Sequence, residues 1–201
     1  MEQMNYFFFS MINATPASSP WMISFATFIA RDLIMIIPAL LIGLWLWGPK
    51  SAMDSQRAMV TKAAMALAFS MLSSACIGML FPHDRPFVVG FGYNFLSHSP
   101  DSSFPSDHGT AIFTVALAFV FWHKVWSAIT MMVIAIAIAW SRIYLGVHWP
   151  LDMVGAFLLG MVGCLFAQLV WNLFGESIAN GMKRLYHLSF AVPINRGWVR
   201  S

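Results

Sequence analysis

A histidine and an aspartate in the C-terminal half of the chain are spaced so that they can act together. His148 and Asp152 lie four residues apart, and Pro150 between them suits the first turn of a helix, where its missing N–H is not needed. Residues at this spacing meet on one helix face. A carboxylate that accepts from one imidazole nitrogen leaves the other nitrogen free as a nucleophile or base. A His–Asp pair that only caps a helix fits equally well, and the pair alone does not decide.

A second polar cluster, residues 104–109, has the features of an anion-binding helix start. Ser106 suits the N-cap position. The backbone N–H groups of residues 107–109 would then point at an anion, with the helix dipole behind them. Gly109 would give the anion close access, and His108 would be placed to protonate a leaving oxygen. An ordinary helix cap beside a loop histidine explains the same residues, so this cluster is weak evidence by itself.

Two arginines accompany these clusters. Arg85 belongs to a third cluster, residues 82–86, and Arg142 follows Ser141. The planar guanidinium group matches phosphate oxygens with two parallel hydrogen bonds. Either arginine alone could instead extend to lipid headgroups. Two arginines, two histidines, a serine and an aspartate together favour a phosphate-handling active site.

A metal site is the main chemical alternative. Ligands could come from four histidines and three aspartates, namely His83, His98, His108, His148, Asp84, Asp101 and Asp152. Arginines beside them would repel a cation, and the sequence has no HExxH motif or His-x-His spacing. We therefore expect no metal and no other cofactor.

The composition places the elements that carry these residues in a membrane. Of 201 residues, 59% are hydrophobic and only 9% are charged, whereas soluble proteins carry about 25% charged residues. A water-soluble domain is therefore excluded. The net charge of +3 arises from basic residues scattered at segment ends, so a nucleic-acid partner is not expected. Membrane lipids are the expected surroundings, and nothing in the sequence requires an obligate protein partner.

The apolar segments predict a single all-α membrane domain over residues 1–201. Spanning a bilayer takes about 20 residues, and we expect five spans, at about 21–47, 58–81, 109–122, 127–145 and 150–174. Arg31 and Asp32 interrupt the first span. The third is short, so we expect it to extend into the preceding polar loop or to tilt little. The aromatic N-terminal segment, residues 1–20, suits the membrane interface, and residues 175–201 suggest a basic tail.

The distribution of basic residues orients the spans. Eight of the eleven lie after spans one and three or in the tail, whereas residues 1–20 contain none; the eight are Lys50, Arg57, Lys62, Lys124, Lys183, Arg184, Arg196 and Arg200. The positive-inside rule assigns these regions to the cytoplasm. The 82–108 loop and the 146–149 turn then face outside, and the three polar clusters meet there.

At these residues the chain resembles the membrane-bound type 2 phosphatidate phosphatase superfamily, which is related to the vanadium haloperoxidases. The third part of its signature, Ser-Arg-x5-His-x3-Asp, is matched in full by Ser141–Asp152. The second, Pro-Ser-Gly-His, appears at Pro105–His108 with aspartate in place of glycine. The first, Lys-x6-Arg-Pro, keeps Arg85 and its proline but has Gly78 at the lysine position. The signature region covers residues 78–152.

The short chain and its Pro-Ser-Asp-His variant are similar to bacterial undecaprenyl-diphosphatases of the bacitracin-resistance type. By this resemblance His148 is the nucleophile, Asp152 orients it and His108 protonates the departing lipid monophosphate. The phosphoryl oxygens would be held by Arg85, Ser106 and Arg142. Arg31, paired with Asp32, could replace the charge of the missing lysine, and a structural ion pair between the two is equally compatible.

The resemblance implies an enzyme that removes the terminal phosphate of a polyprenyl diphosphate at the outer face of a bacterial cytoplasmic membrane. The product would re-enter a lipid-carrier cycle for cell-wall synthesis. A phosphatase for phosphatidate or phosphatidylglycerophosphate, or a lipid phosphotransferase, would carry the same signature. A lipid transporter without catalysis is the non-enzymatic alternative.

Overall fold

A computed structural model describes residues 2–190, apart from the side chains of Lys50 and His187. The described chain is helical, without β-strands. Its α-helices are α1 Glu2–Ile12, α2 Pro20–Arg31, α3 Ile36–Leu46, α4 Met53–Leu80, α5 Asp107–Trp122, α6 Val125–Tyr144 and α7 Pro150–Ser189. Short 3-10 turns at Leu33–Met35 and Lys50–Ala52 join α2 to α3 and lead into α4.

Four stretches are long and apolar enough to cross a membrane: Pro20–Leu46, Met53–Leu80, Val125–Tyr144 and Pro150–Tyr186. They confirm the prediction of a polytopic helical membrane protein. α5 has 16 residues, which at about 1.5 Å per residue makes it shorter than the roughly 30 Å hydrocarbon core.

α5 begins at Asp107, two residues before the predicted start at residue 109, so it extends only slightly into the preceding polar loop. It lies at the centre of the bundle in contact with α4, α6 and α7. Ten of its residues are buried. Since neighbouring helices rather than lipid surround it, a shorter helix suffices.

The first span is interrupted where the charged residues predict. α2 ends at Arg31, Asp32 follows, and a 3-10 turn over Leu33–Met35 leads into α3. The side chain of Arg31 is exposed at this break. The interruption leaves a permanent positive charge part-way along a membrane span.

α7 is much longer than predicted. The sequence analysis placed the end of the last span near residue 174, with a tail beyond it, but the helix continues to Ser189. The residues after 174 include several good helix formers and no proline before Pro193. Tyr186 is buried, and the guanidinium of Arg57 lies 4.0 Å above its ring. The last helix therefore does not end at residue 174, and residues 175–189 are helical. Residues 191–201 of the predicted tail lie outside the described part.

The polar loops meet at one end of the bundle, as the predicted parity of the spans requires. Nη1 of Arg85 donates to the carbonyl oxygen of Val147 at 2.9 Å. The indole N–H of Trp149 donates to the carbonyl oxygen of Asp84 at 2.8 Å. These bonds tie the loop before α5 to the turn before α7.

α1 packs across the same end of the bundle. Phe9 is fully buried, and its ring centroid lies 5.0 Å from that of Trp149. Oδ1 of Asn5 accepts the backbone N–H of Leu151 at 3.1 Å, which satisfies one of the free N–H groups at the start of α7. The other face of α1 exposes apolar side chains: Met4, Phe7, Phe8 and Met11. Such a face suits the membrane interface.

Candidate active site

The turn between α6 and α7 sets the position of the histidine. α6 ends at Tyr144, and Gly146 follows with φ = +81°, the left-handed conformation that commonly ends a helix. A Cβ at this glycine would lie 2.1 Å from the carbonyl oxygen of Tyr93. Only glycine fits this turn, which presents His148 just before Pro150 begins α7.

His148 and Asp152 meet as their spacing predicts. Nδ1 of His148 lies 3.2 Å from Oδ2 of Asp152, and the two side chains are only 2% and 1% exposed. The same oxygen accepts the backbone N–H of Trp149 at 2.8 Å and the hydroxyl of Ser103. Several donors on one oxygen fix the carboxylate, and the carboxylate in turn fixes the imidazole ring.

Arg85 determines which nitrogen of His148 carries the proton. Its Nη1 lies 3.0 Å from Nε2 of His148. A guanidinium group can only donate, so Nε2 accepts and carries a lone pair. The proton is then on Nδ1, which faces Asp152 and the carbonyl oxygen of Ser103 at 3.1 Å. This is the tautomer in which Nε2 can act as a nucleophile.

The surroundings of His148 also keep it neutral. Burial, together with the positive charges of Arg142 and Arg85, holds the pKa of this imidazole well below its usual value of 6.5. The ring therefore stays unprotonated at neutral pH, and its nucleophilic nitrogen remains available.

The loop before α5 holds Arg85. Its Nη2 and Nε lie 2.6 and 2.9 Å from Oδ1 of Asp101, and Nη2 also donates to the carbonyl oxygen of Ser102 at 3.1 Å. Partial burial raises the pKa of Asp101, but hydrogen bonds from Ser99 and Arg85 outweigh it, so the pKa lies below its usual value. The carboxylate of Asp101 therefore stays charged. It holds the guanidinium of Arg85 in the orientation in which one N–H points at His148.

The start of α5 differs in part from the expected anion site. Ser106 is the N-cap, as predicted, and its Oγ accepts the N–H of Gly109 at 3.2 Å. A Cβ on Gly109 would lie 3.0 Å from that of Ala156 and 3.1 Å from Sδ of Met153. The glycine thus lets α5 pack closely against α7, and its N–H serves the cap. Asp107 accepts a hydrogen bond from the hydroxyl of Ser74 at 2.9 Å and forms no ion pair with an arginine among residues 2–190.

Arg142 is buried without the partners that a buried guanidinium needs. It is 2% exposed, and among residues 2–190 its Nε and Nη2 have no hydrogen-bond partner. An unpaired buried donor on a charged group is costly. An anion bound against Arg142 would remove that cost.

A cleft of about 600 Å³ runs beside Arg142. His108, His98 and Arg31 line the same cleft, and the His98 ring lies 6.0 Å from that of His148, centroid to centroid. The residues proposed from the sequence therefore form two groups. His148 contacts both Arg85 and Asp152, whereas His108, Arg142 and Arg31 share the cleft wall.

The sequence interpretation gave three residues near this site no role in phosphate binding or catalysis. Ser103 braces Asp152, Asp101 holds Arg85, and His98 lines the cleft. Asp101 and His98 were considered only as metal ligands. The sole signal was a run of serine and aspartate between two spans, which indicates a polar loop but not its path.

Two alternatives from the sequence can be compared with this geometry. Gly78, at the position of the missing lysine, faces the site loop, since a Cβ there would lie 3.5 Å from that of Ser102. Arg31 and Asp32 form no ion pair within the described ranges. Across residues 2–190, no three His, Cys, Asp or Glu side chains are grouped so as to hold a metal ion.

Comparisons with known proteins agree with the fold and identify the family. The sequence profile of the PAP2 superfamily matches residues 59–176. The crystal structure of LpxE from Aquifex aeolicus superposes with a TM-score of 0.66 at 23% identity, over 82% of this chain and 94% of that one. At that identity the likeness concerns the fold alone.

Two relatives are closer in sequence. YbjG of Escherichia coli (strain K12), provisionally named as an undecaprenyl-diphosphatase, is 56% identical over 200 residues, which cover 100% of this chain and 99% of that protein. The undecaprenyl-diphosphatase BcrC of Bacillus subtilis (strain 168) is 26% identical over 81% of this chain and 82% of its own length. The chain therefore belongs to the PAP2 superfamily, in the family of the undecaprenyl-diphosphatases, and is a membrane-embedded hydrolase.

Proposed function

We propose that this enzyme hydrolyses the terminal phosphate of undecaprenyl diphosphate, or of a similar polyprenyl diphosphate, through a phosphohistidine. The relatives named for that substrate support the choice of lipid. The observation that carries the mechanism is the state of His148, whose Nε2 holds a lone pair beneath Arg85 while Nδ1 is braced by Asp152.

In the first half-reaction, Nε2 of His148 attacks the terminal phosphorus. The N–P bond forms, the P–O bond to the bridging oxygen breaks, and the electron pair leaves with the lipid monophosphate. Nη1 of Arg85 keeps its proton, but its hydrogen bond changes acceptor from Nε2 of His148 to a phosphoryl oxygen. Nε and Nη2 of Arg142 donate further hydrogen bonds to the phosphoryl group. Fixed cations at these oxygens stabilise the transition state. In the unliganded site, burial and the charge of Arg142 lower the pKa of His108 to about 4. The negative charge of the bound diphosphate raises that pKa again, so that His108 carries a proton and gives it to the departing oxygen.

In the second half-reaction, water attacks the phosphohistidine. His108, now neutral, takes a proton from that water, the N–P bond breaks, and orthophosphate leaves. Asp152 stabilises the Nδ1 proton of the imidazole throughout. Each step uses groups that already line the site or its cleft.

We further propose that the site faces the periplasm from the bacterial inner membrane. The described basic residues outside the site lie at the opposite ends of the helices, as the positive-inside rule requires for the cytoplasmic side; they are Arg57, Lys62, Lys124, Lys183 and Arg184. The lipid product would be released on the outer leaflet and recycled as a carrier for cell-wall synthesis.

Turnover on two lipids tests the choice of substrate. Purified protein in mixed micelles is given undecaprenyl diphosphate or phosphatidate, and orthophosphate release is followed. We expect the larger kcat/KM on the diphosphate. A larger value on phosphatidate would assign the enzyme to that lipid class, and release from neither would contradict the proposal.

The lowered pKa of His148 predicts how kcat/KM changes as the pH falls. A histidine with a lowered pKa accepts its proton only at lower pH, so the neutral nucleophile persists as pH falls through about 6.5. We expect kcat/KM to decline only below that pH. An NMR titration of the imidazole, assigned with the His148→Asn protein, separates this effect from titration of the substrate. A midpoint at or above the usual value would contradict the prediction.

Ser103→Ala removes one donor from the Asp152 carboxylate. We expect kcat to fall about tenfold, the loss typical of one hydrogen bond to a charged group, with little change in KM, because Asp152 does not touch the substrate. Ser102→Ala is the matched control, since the side chain of Ser102 bonds only to the loop backbone. Equal losses in both variants would mean that the loop, rather than the carboxylate, is affected.

A further inference from the structure

Arg31 is an unexplained charge in the membrane region. It ends α2 within the first span, its side chain is exposed, and it takes part in no ion pair with the other described residues. A charged side chain within a span is costly and usually marks a functional site. As the last residue of α2, Arg31 interacts favourably with the helix dipole, but that gain is smaller than the cost of a charge within a span.

The cleft beside the nucleophile gives Arg31 a ligand to bind. Arg31, Thr27 and Ala30 from α2 line one part of the cleft, and His108 and Arg142 line another. Arg142 is nearly fully buried there, with two nitrogens that lack partners among residues 2–190. A buried cation and an exposed cation in one cleft suit a ligand that carries two anionic groups in series.

The difference in exposure between Arg142 and Arg31 indicates which anionic group of the ligand each arginine binds. Arg142 is 2% exposed, and its charge acts on the buried His148, whereas Arg31 is exposed on a membrane span. A lipid substrate keeps its chain in the bilayer, so its terminal phosphate reaches the buried end of the cleft. The phosphate next to the lipid then lies at the exposed end.

We propose that Arg31 binds the lipid-proximal phosphate of a diphosphate substrate and thereby makes the enzyme select diphosphates over monophosphates. This inference rests on the proposed function. As the P–O bond to the bridging oxygen breaks, negative charge builds up on the departing lipid monophosphate, and Arg31 is placed to stabilise it. A monophosphate ester has no phosphate at that position, so Arg31 gives it no comparable advantage.

The test compares farnesyl diphosphate with farnesyl monophosphate on purified Arg31→Gln protein. We expect kcat/KM for the diphosphate to fall about 10- to 100-fold, as for the loss of a charge-assisted hydrogen bond. For the monophosphate we expect a change below about threefold. Arg31→Lys should recover part of the loss. Arg184→Gln, which removes an exposed guanidinium near the far end of α7, is the matched control and should leave both values unchanged.

Equal losses on both substrates would overturn the proposal, because Arg31 would then serve the terminal phosphate in place of the missing lysine. Unchanged kinetics on both would overturn it as well. Failure of the proposed function looks different, because wild-type protein would then cleave neither substrate.

Inhibition by inorganic anions gives a second measurement that does not require turnover of the monophosphate. Wild-type protein should be inhibited by lower concentrations of inorganic diphosphate than of orthophosphate. In Arg31→Gln protein that preference should fall about tenfold or more. A preference that persists in the variant would contradict the assignment of Arg31.

Discussion

Replacing His148 with asparagine is expected to lower phosphate release from undecaprenyl diphosphate on the order of 10⁴-fold or more. The amide keeps a polar side chain of similar size but offers no nitrogen lone pair to attack phosphorus. Covalent catalysis then fails, and only binding and charge stabilisation remain. Orthophosphate release is the first measurement. Quenching in alkaline detergent during turnover is the second, because the N–P bond of phosphohistidine survives alkali but not acid; the phosphohistidine should appear in the wild type and be missing in the variant.

His83→Asn provides the matched control. This imidazole is exposed in the loop before α5, and within residues 2–190 the hydrogen bonds of His83 to the site loop are made by its backbone. Its activity should stay within about threefold of the wild type. Substantial turnover by His148→Asn, or a phosphoenzyme that survives the substitution, would show that another group is the nucleophile.

Arg142→Met should change activity and stability in opposite directions. Activity should fall about 10³-fold, since an arginine on a transferring phosphoryl group contributes effects of that size. The unliganded fold should become more stable by about 1 to 3 kcal/mol, because methionine has no buried donor without a partner. Enzyme assays and thermal unfolding of the same preparation in detergent measure the two effects.

A ligand should reverse that order of stability. Orthophosphate or vanadate should raise the unfolding temperature of the wild type by binding the folded state and should have little effect on Arg142→Met. Arg184→Met, at an exposed position, controls for the change in side chain. If Arg142→Met is less stable than the wild type without ligand, the prediction is wrong, and the guanidinium of Arg142 must have hydrogen-bond partners in the unliganded protein.

The pairing of His148 with Asp152 could be predicted from sequence because it lies within one turn of a helix. Four residues of helix fix the distance whatever the rest of the fold does. Ser106 was predictable as a cap for the same reason, since its hydrogen bond reaches only to Gly109. That the three polar clusters lie at the same end of the bundle could be predicted from the number of spans alone.

The bracing residues could not be found in this way. Ser103 reaches Asp152 across 49 positions of sequence, and that contact depends on the path of a loop without regular structure. The contact between Arg85 and Asp101 depends on the same path. The full length of α7 was also missed, because its last turns include the tertiary contact of Tyr186 with Arg57 as well as good helix formers.

The family match begins at residue 59, yet the first turn of α7 donates a hydrogen bond to the side chain of Asn5. The folded unit that supports the site is therefore larger than the segment that the family profile matches. A truncation, exchange or tag at the amino terminus would therefore disturb the start of α7, which supports His148, although the two regions are more than a hundred positions apart in sequence. A fusion partner belongs at the opposite end of the polypeptide.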